Sequence, residues 1–300
     1  VYKRQVFVNA GRSLTSVSRL NGGLRVSTVA TDLSATTASP AASTDTTDFS
    51  GDIGWQWELN DGWQVVANLG AGFRAPNIFD LGTLGERPGN RFNIPNANLD
   101  SERILQADLG VRLWSKRLRF DAFVFALDYD NRITSVSTGD TTPDGRDVVQ
   151  SVNAADSGIR GIEAAVVAEL SAKLRIEATA LYTHGKQTVE NTSEAADRIP
   201  PLTGRVALRH ATGDRLTIHA WLRFSDNQDR LSNRDVRDPR IDPNGTPGWG
   251  TLGARLDWFV DDRAMITLGV DNLLDRRYRT HGSGLDAPGR NLSATISYRW

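Results

Sequence analysis

Asn291–Trp300, the last ten residues, read NLSATISYRW and alternate without a break. Leu292, Ala294, Ile296, Tyr298 and Trp300 are apolar, while Asn291, Ser293, Thr295, Ser297 and Arg299 are polar. Successive side chains of a β-strand point to opposite faces, so this is a strand with one apolar and one polar face. Chain ends usually fray. A terminus patterned to its last residue is expected to finish inside a sheet.

The pattern recurs upstream. Ala264, Ile266, Leu268 and Val270 oppose Arg263, Thr267 and Asp271. Leu252, Ala254, Leu256, Trp258 and Val260 oppose Arg255 and Asp257; Leu216, Ile218, Ala220, Leu222 and Phe224 oppose Arg215, Thr217, His219 and Arg223. Leu174 to Tyr182, Leu105 to Leu113 and Trp63 to Phe73 repeat it. Each run is about ten residues, the length a tilted strand needs to cross a bilayer, whereas strands of soluble sandwiches commonly run about five or six. Helical spacing is poor throughout, so almost no α-helix is expected.

The connections alternate short and long. The short ones read Asn21-Gly22-Gly23, Asn60-Asp61-Gly62, Ser115-Lys116, Ser171-Ala172, Thr212-Gly213-Asp214 and Asp261-Asp262. Several carry the Gly or Asn that a positive φ demands. The long ones are expected near Thr31–Thr47, Ala75–Glu102, Ser135–Ser151, Gly185–Pro200, Asp226–Pro247 and Leu273–Arg290. Membrane barrels sort their loops in this way, with short periplasmic turns and long extracellular loops. Trp55, Trp57, Trp63 and Trp258 lie on apolar faces close to short turns, with Trp300 at the same level, and Phe73, Tyr182 and Phe224 lie at the opposite ends. Such placement predicts two membrane girdles bounding an apolar band.

Composition is compatible. The chain has 300 residues, 39% hydrophobic, with a formal net charge of −1. That charge supplies no basic field for nucleic acid. With no cysteine, disulfides, thiolate metal sites and cysteine nucleophiles are excluded. Val1–Gln5 (VYKRQ) has no pattern relation to the residues after it and reads as a non-native assembly scar, with residues 6–300 as the barrel portion and the true N-terminus missing. The first strand is expected between Val6 and Leu20. The fold class is then all-β: a transmembrane, antiparallel, up-and-down β-barrel. Bacterial barrels have even strand numbers, so a count of about 13 points to a C-terminal fragment. At roughly 23 residues per strand, the 22-stranded transporter class would need about 500 residues. The terminal strand is patterned to its end because it closes the barrel, since an open edge in lipid leaves unpaired backbone groups.

From about Gly51 to Trp300 the chain resembles the TonB-dependent outer-membrane receptors. GAGFRAPNIFDL (Gly70–Leu81) resembles the family's FRAP segment, and IPNANLDSERILQADLGVR (Ile94–Arg112) its NPxLxPE box and following strand. The second departs from the family form, with Ala97 inserted and Asp100-Ser101 where Lys-Pro is usual. GIRGIEAAV (Gly158–Val166), DNLLDRRYRTHG (Asp271–Gly282) and APGRNLSATISYRW (Ala287–Trp300) come next, in family order. The resemblance implies a receptor in the bacterial outer membrane for active import of a scarce nutrient, such as siderophore-iron or cobalamin. It implies a plug in the barrel and energisation by the TonB complex through an N-terminal region absent from this chain. It also implies that Ile296, Tyr298 and Trp300 form the signal read by the barrel-assembly machinery. A passive porin-like or adhesin barrel without a plug is the alternative; a soluble all-β module would leave the loop parity unexplained.

Site expectations are confined to the long loops. Arg87, Arg91 and Phe92 lie between the FRAP-like and NPxL-like segments, a region the family uses for ligand contact. Arg230, Arg234, Arg237 and Arg240, with Arg223 just below, could hold an anionic ligand or lipopolysaccharide phosphates, although interleaved aspartates could pair with them instead. His184, His210, His219 and His281 have no metal-site spacing, and the segment 77–94 lacks the histidine that haem receptors of the family carry. Asp140–Gly145 and Asp235–Gly245 read as turns rather than calcium loops. No nucleophile elbow or paired carboxylate stands out, so no enzyme, no cofactor and no metal is expected. The partners expected are outer-membrane lipid and lipopolysaccharide, the TonB complex, the assembly machinery and an unnamed small molecule.

Overall fold

A computed structural model describes residues 1–35, 41–60, 62–189 and 191–300. The chain runs β1 (Tyr2–Ser13), β2 (Ser18–Leu33), β3 (Ala42–Glu58), β4 (Trp63–Arg74), α1 (Ile78–Gly82), β5 (Gly85–Arg87), β6 (Arg91–Ile94), β7 (Glu102–Trp114) and β8 (Leu118–Thr141). It continues through β9 (Asp147–Glu169), β10 (Leu174–Val189), β11 (Thr192–Ala195), β12 (Thr203–Thr212), β13 (Leu216–Ser225), α2 (Asn233–Arg237), β14 (Trp249–Phe259), β15 (Ala264–Asp271) and β16 (Asn291–Tyr298). One sheet holds all 16 strands, and its wall is the continuous path β1-β2-β3-β4-β7-β8-β9-β10-β12-β13-β14-β15-β16, thirteen strands as the pattern predicts. The short strands β5, β6 and β11 hang from it in the long loops.

The register keeps apolar faces together. Trp63, Val65, Ala67 and Leu69 stand opposite Leu113, Val111, Leu109 and Ala107, and Leu256 and Leu268 stand opposite each other. These apolar residues are not a core. Leu109 is 53% exposed, Ile162 53% and Leu268 49%, while buried apolar side chains include Val66 and Ala155 in the wall and Leu81, Leu99, Val149, Ala196, Ile199 and Ile241 in or against the long loops. A water-soluble protein buries its apolar stripes, because removing such area from water is what stabilises it. Here the stripe faces outward around the wall, which places hydrocarbon on that side. The girdle candidates share this outer face: Trp57, Trp63 and Trp258 are exposed near short turns, and Tyr182 near the long-loop end. Trp55 stacks on Trp57 at 5.7 Å and donates its indole N–H to Ser18 Oγ at 2.9 Å. Phe73 and Phe224 are half-buried at the long-loop ends of β4 and β13.

At three places on the inner face an aromatic ring covers a glycine. Phe123, Phe125 and Trp221 lie over Gly110, Gly161 and Gly253, where an added Cβ would strike the ring. Glycine weakens a strand by exposing backbone, and a cross-strand aromatic covers that exposure.

Four expectations need correction. Asn21-Gly22-Gly23 is not a turn: β2 runs through it, the turn spans 14–17, and the first strand is Tyr2–Ser13 rather than Val6–Leu20. Tyr2–Gln5 pair with Ser27–Ala30 inside that strand. The loops near Thr31–Thr47, Ser135–Ser151 and Gly185–Pro200 are shorter than expected, because strand pairing continues to Leu33, Thr141 and Val189. The last strand stops at Tyr298, although Arg299 N–H still donates to Arg263 O at 2.9 Å. Finally, β16 pairs with β15 and not with β1, so the sheet is open. Of the expected turns, Asn60-Asp61-Gly62 lies partly outside the described residues.

Candidate functional site

The long-loop end is built from the sequence motifs. Arg74, at the end of β4, bridges Glu102 at 2.5 Å and Asp80 at 2.6 Å. The FRAP-like and NPxL-like segments are thus two halves of one ion-paired clamp. Asn77 caps α1 through Phe79 and Asp80 N–H, and Asp80 returns a bond to Asn77 N–H, a capping box. The other face of Glu102 accepts from Ile133 N–H at 2.8 Å. Beyond α1 the chain is fastened to the tall β8–β9 hairpin. Gln150 donates to Pro95 O and Asn96 to Ser151 O, both at 2.7 Å, and β6 pairs in parallel with Asp147–Gln150. At the far end of the chain, Asn272 and Asp275 of the DNLLD segment take left-handed conformations. Asn272 Oδ1 accepts from Arg276 N–H and Asp275 Oδ1 from Arg290 N–H, so this motif is a turn lock.

These fastenings bring two separate arginine groups together. Arg87 and Arg91 stand directly opposite each other in the β5–β6 hairpin. Arg234 and Arg237 come from α2, six wall strands further along the chain (β7, β8, β9, β10, β12 and β13 intervene). The Arg91 guanidinium is held below its usual range by burial first, then by Arg234, Arg237 and Arg87, with Asp147 opposing. Like charges so placed repel. Of the four, only Arg234 has an ion pair among the described residues, to Asp197 at 3.2 Å. Arg240 is paired with Asp238 at 2.7 Å. Arg230 is not part of the cluster: it contacts His184 Nδ1 at 2.8 Å and Gly185 O at 3.3 Å. Arginine can only donate, so His184 Nδ1 accepts that bond, and burial, then Arg230 and Lys186, hold the imidazole below its ordinary value. Phe92 is half-buried and, by strand alternation, points to the face opposite Arg91.

The support beneath α2 was not visible as a motif. Asp197 accepts from Arg132 at 3.2 Å and from Gln187 at 2.8 Å. Asp235, 1% exposed, accepts Arg198 N–H at 3.0 Å, and its own N–H is capped by Ser232 Oγ at 3.0 Å. Residues 132, 187, 197 and 235 come from β8, β10, a loop and α2, and no local spacing reveals their convergence. No group of three or more His, Cys, Asp or Glu able to hold a metal occurs among the described residues.

Below the mouth, the inner wall carries charge. Thr179, Arg205, Arg223 and Thr251 form one row of directly opposed partners across β10, β12, β13 and β14. Leu181, Thr203, Ser225 and Trp249 form the next row toward the long loops. The hollow along these rows has a volume of about 620 Å³. Deeper, Asp257 accepts from Arg255 at 2.6 Å, Thr267 at 2.8 Å and His219 at 3.1 Å.

The family described as TonB dependent receptor-like, beta-barrel matches residues 3–273. The chain belongs to the TonB-dependent receptor family. No curated protein matches it by sequence. Among solved structures it is similar to the copper transporter OprC, with a TM-score of 0.79 at 21% identity, over 99% of this chain and 47% of that one. It is similar to the FrpB iron transporter from Neisseria meningitidis, with a TM-score of 0.76 at 15% identity, over 99% and 45%. It is also similar to the ferric enterobactin receptor PfeA from Pseudomonas aeruginosa in complex with enterobactin, with a TM-score of 0.74 at 17% identity, over 99% and 45%. At these identities the likeness is one of fold. The chain spans less than half the length of these TonB-dependent receptor structures. The family places it in the outer membrane of Gram-negative bacteria, with the short turns periplasmic and the long loops outside. This is a family of transport receptors rather than of enzymes.

Proposed function

We propose that this chain is the C-terminal wall of an active-transport receptor, energised through TonB, whose scarce nutrient arrives as an anion. The carrying observation is the convergence of Arg87, Arg91, Arg234 and Arg237 at the outer mouth, where Asp147 stands beside Arg91 and Arg234 alone of the four has an ion pair among the described residues, to Asp197. Guanidinium groups present planar donor forks suited to carboxylate, phenolate or phosphate oxygens, and an anion there would relieve their mutual repulsion. A bare soft metal ion is a poor fit for this half of the receptor, since the chain has no cysteine and a single methionine. A metal cargo would come wrapped in an anionic chelator, as siderophore-iron does. Family membership supports the receptor reading over a passive porin-like or adhesin barrel. Phe92 lines the approach, Arg230 orders the loop beside it, and the outward aromatic residues act as girdles. Ile296, Tyr298 and Trp300 serve as the barrel-assembly signal, and lipopolysaccharide phosphates meet the outer loops.

The test compares small anionic solutes left in spent medium, by mass spectrometry, from cells with and without the receptor, in backgrounds with intact and disrupted TonB. One anionic solute should be depleted only when both are present, and Arg91→Gln with Arg237→Gln should reduce that depletion. Depletion that persists without TonB would identify a passive barrel and refute the reading.

A further inference from the structure

Three outer loops meet at one histidine. In the last of them, residues 272–290, His281 Nδ1 shares a hydrogen bond with Thr246 Oγ1 at 2.8 Å. Thr246 lies in the loop that carries α2, residues 226–248, and its backbone pairs in both directions with Gln228. The Gln228 amide donates to Ile199 O of the 196–202 loop at 2.6 Å. Gln228 and Thr246 are each 7% exposed, so the imidazole is seated against a closed-in junction. Every other side-chain hydrogen bond of the 272–290 loop among the described residues stays within that loop. His281 is thus its polar side-chain fastening to the rest of the mouth.

The second ring nitrogen makes this fastening conditional. His281 Nε2 is closed to solvent and has no hydrogen-bond partner among the described residues. A neutral imidazole needs to donate only once, and Nδ1 can do so to Thr246 Oγ1. An imidazolium donates from both nitrogens, which leaves a charged, buried N–H unmet at Nε2. The nearby carboxylate does not meet it: Asp235 of α2 is 1% exposed, and its Oδ1 is likewise without a partner. Burial opposes the imidazolium most; Asp235 favours it, Arg198 opposes it, and the balance holds His281 below its ordinary value. Within its own loop, Arg277 and Arg279 are held by Asp286, and Arg240, which packs against Gly284, is held by Asp238.

We propose that His281 is an acid-released fastening: neutral, it ties the last outer loop to the 226–248 loop through Thr246, and protonation frees the last loop. A base with a depressed value in place binds fewer protons there than when released. The fastening is therefore strongest above about pH 6.5 and weakens as pH falls from there through the lower seated value. It acts through the loops alone and is independent of what the receptor carries.

The chain has no cysteine, so a nitroxide on Leu285→Cys, an exposed position of the last loop, reports on that loop alone. The sample is the complete receptor in lipid vesicles, with any cysteine outside these 300 residues replaced by serine. The mobile fraction of the spectrum should rise several-fold, and reversibly, between about pH 7.5 and about pH 5. His281→Asn keeps a hydrogen-bonding group for Thr246 but does not titrate, so its spectrum should be the same at both pH values. A label on Lys116→Cys, in a short turn at the other end of the barrel, should not respond. Deuterium exchange at the imidazole C2, followed by mass spectrometry, should give His281 a midpoint below about 6.5. A wild-type loop indifferent to pH overturns the proposal. So does an equal response in His281→Asn or at the short turn, or a midpoint at or above the ordinary histidine value.

Discussion

Replacing Leu268 with arginine tests which side of the wall meets lipid. Leu268 lies at the middle of β15, between Leu256 and Ala294 on the outer face, and is 49% exposed. The strand has eight residues, or about 27 Å at about 3.4 Å each, so its centre lies near the bilayer midplane. A guanidinium on the lipid face at that depth should cost about 2–4 kcal/mol. Thr267, one residue away, points inward and donates to Asp257 Oδ1 at 2.8 Å. Thr267→Arg loses that bond, but its new guanidinium lies beside the same carboxylate and restores a charge-assisted one, so the net loss should be about 1 kcal/mol or less. The assay is urea unfolding of the complete receptor in lipid vesicles, followed by tryptophan fluorescence. A gap of about 2 kcal/mol would separate the variants by more than tenfold in the folding equilibrium. Equal losses, or a larger loss for Thr267→Arg, would refute the assigned faces.

The packing and the loops give three further expected outcomes. Gly110→Val should cost about 1–3 kcal/mol in the same unfolding assay, because its side chain must displace the Phe123 ring; a neutral effect would mean that the ring does not cover the glycine. Arg74→Gln breaks the clamp to Glu102 and Asp80, so backbone amides of residues 75–101 should exchange hydrogen faster while those of β14 and β15 do not change. Burial opposes ionisation of the Asp197 carboxyl, but Ser232, Arg132, Gln187 and Arg234 prevail and hold it below its ordinary value. A depressed folded-state value contributes stability above the unfolded value, near pH 4, that is lost as pH falls through the folded one. Proteolysis within 226–248 should therefore accelerate below about pH 4, and Asp197→Asn should show fast cleavage at neutral pH with little further acid response.

The wall was legible because lipid and lumen impose a residue-by-residue rule. Leu268 out and Thr267 in can be read from two letters, and thirteen strands came from repeating that reading. The rule fails where no lipid is present. The Thr-rich stretch around Thr28–Leu33 and the rise of β8 to Thr141 continue as strands above the apolar band, where water on both faces removes the alternation. Asn21-Gly22-Gly23 carries turn residues for another reason: a side chain on Gly23 would press on Asn9 and Asp52 inside the wall. The true turn at 14–17 is Leu-Thr-Ser-Val, which has no glycine or asparagine to announce it. Arginine as a residue type is what marks the mouth as a candidate. That Arg91 meets Arg234 and Arg237 while Arg230 turns to His184 is set by loop-to-wall bonds between distant segments.

The most direct test of the central claim, an energised import receptor, is the DNA sequence upstream of the region encoding this chain in the source genome. The account predicts an open reading frame continuing into further strands, a globular domain of a size to fill the barrel, a TonB-contacting segment and a signal peptide. Further hairpins with no such domain would contradict it and leave a passive barrel.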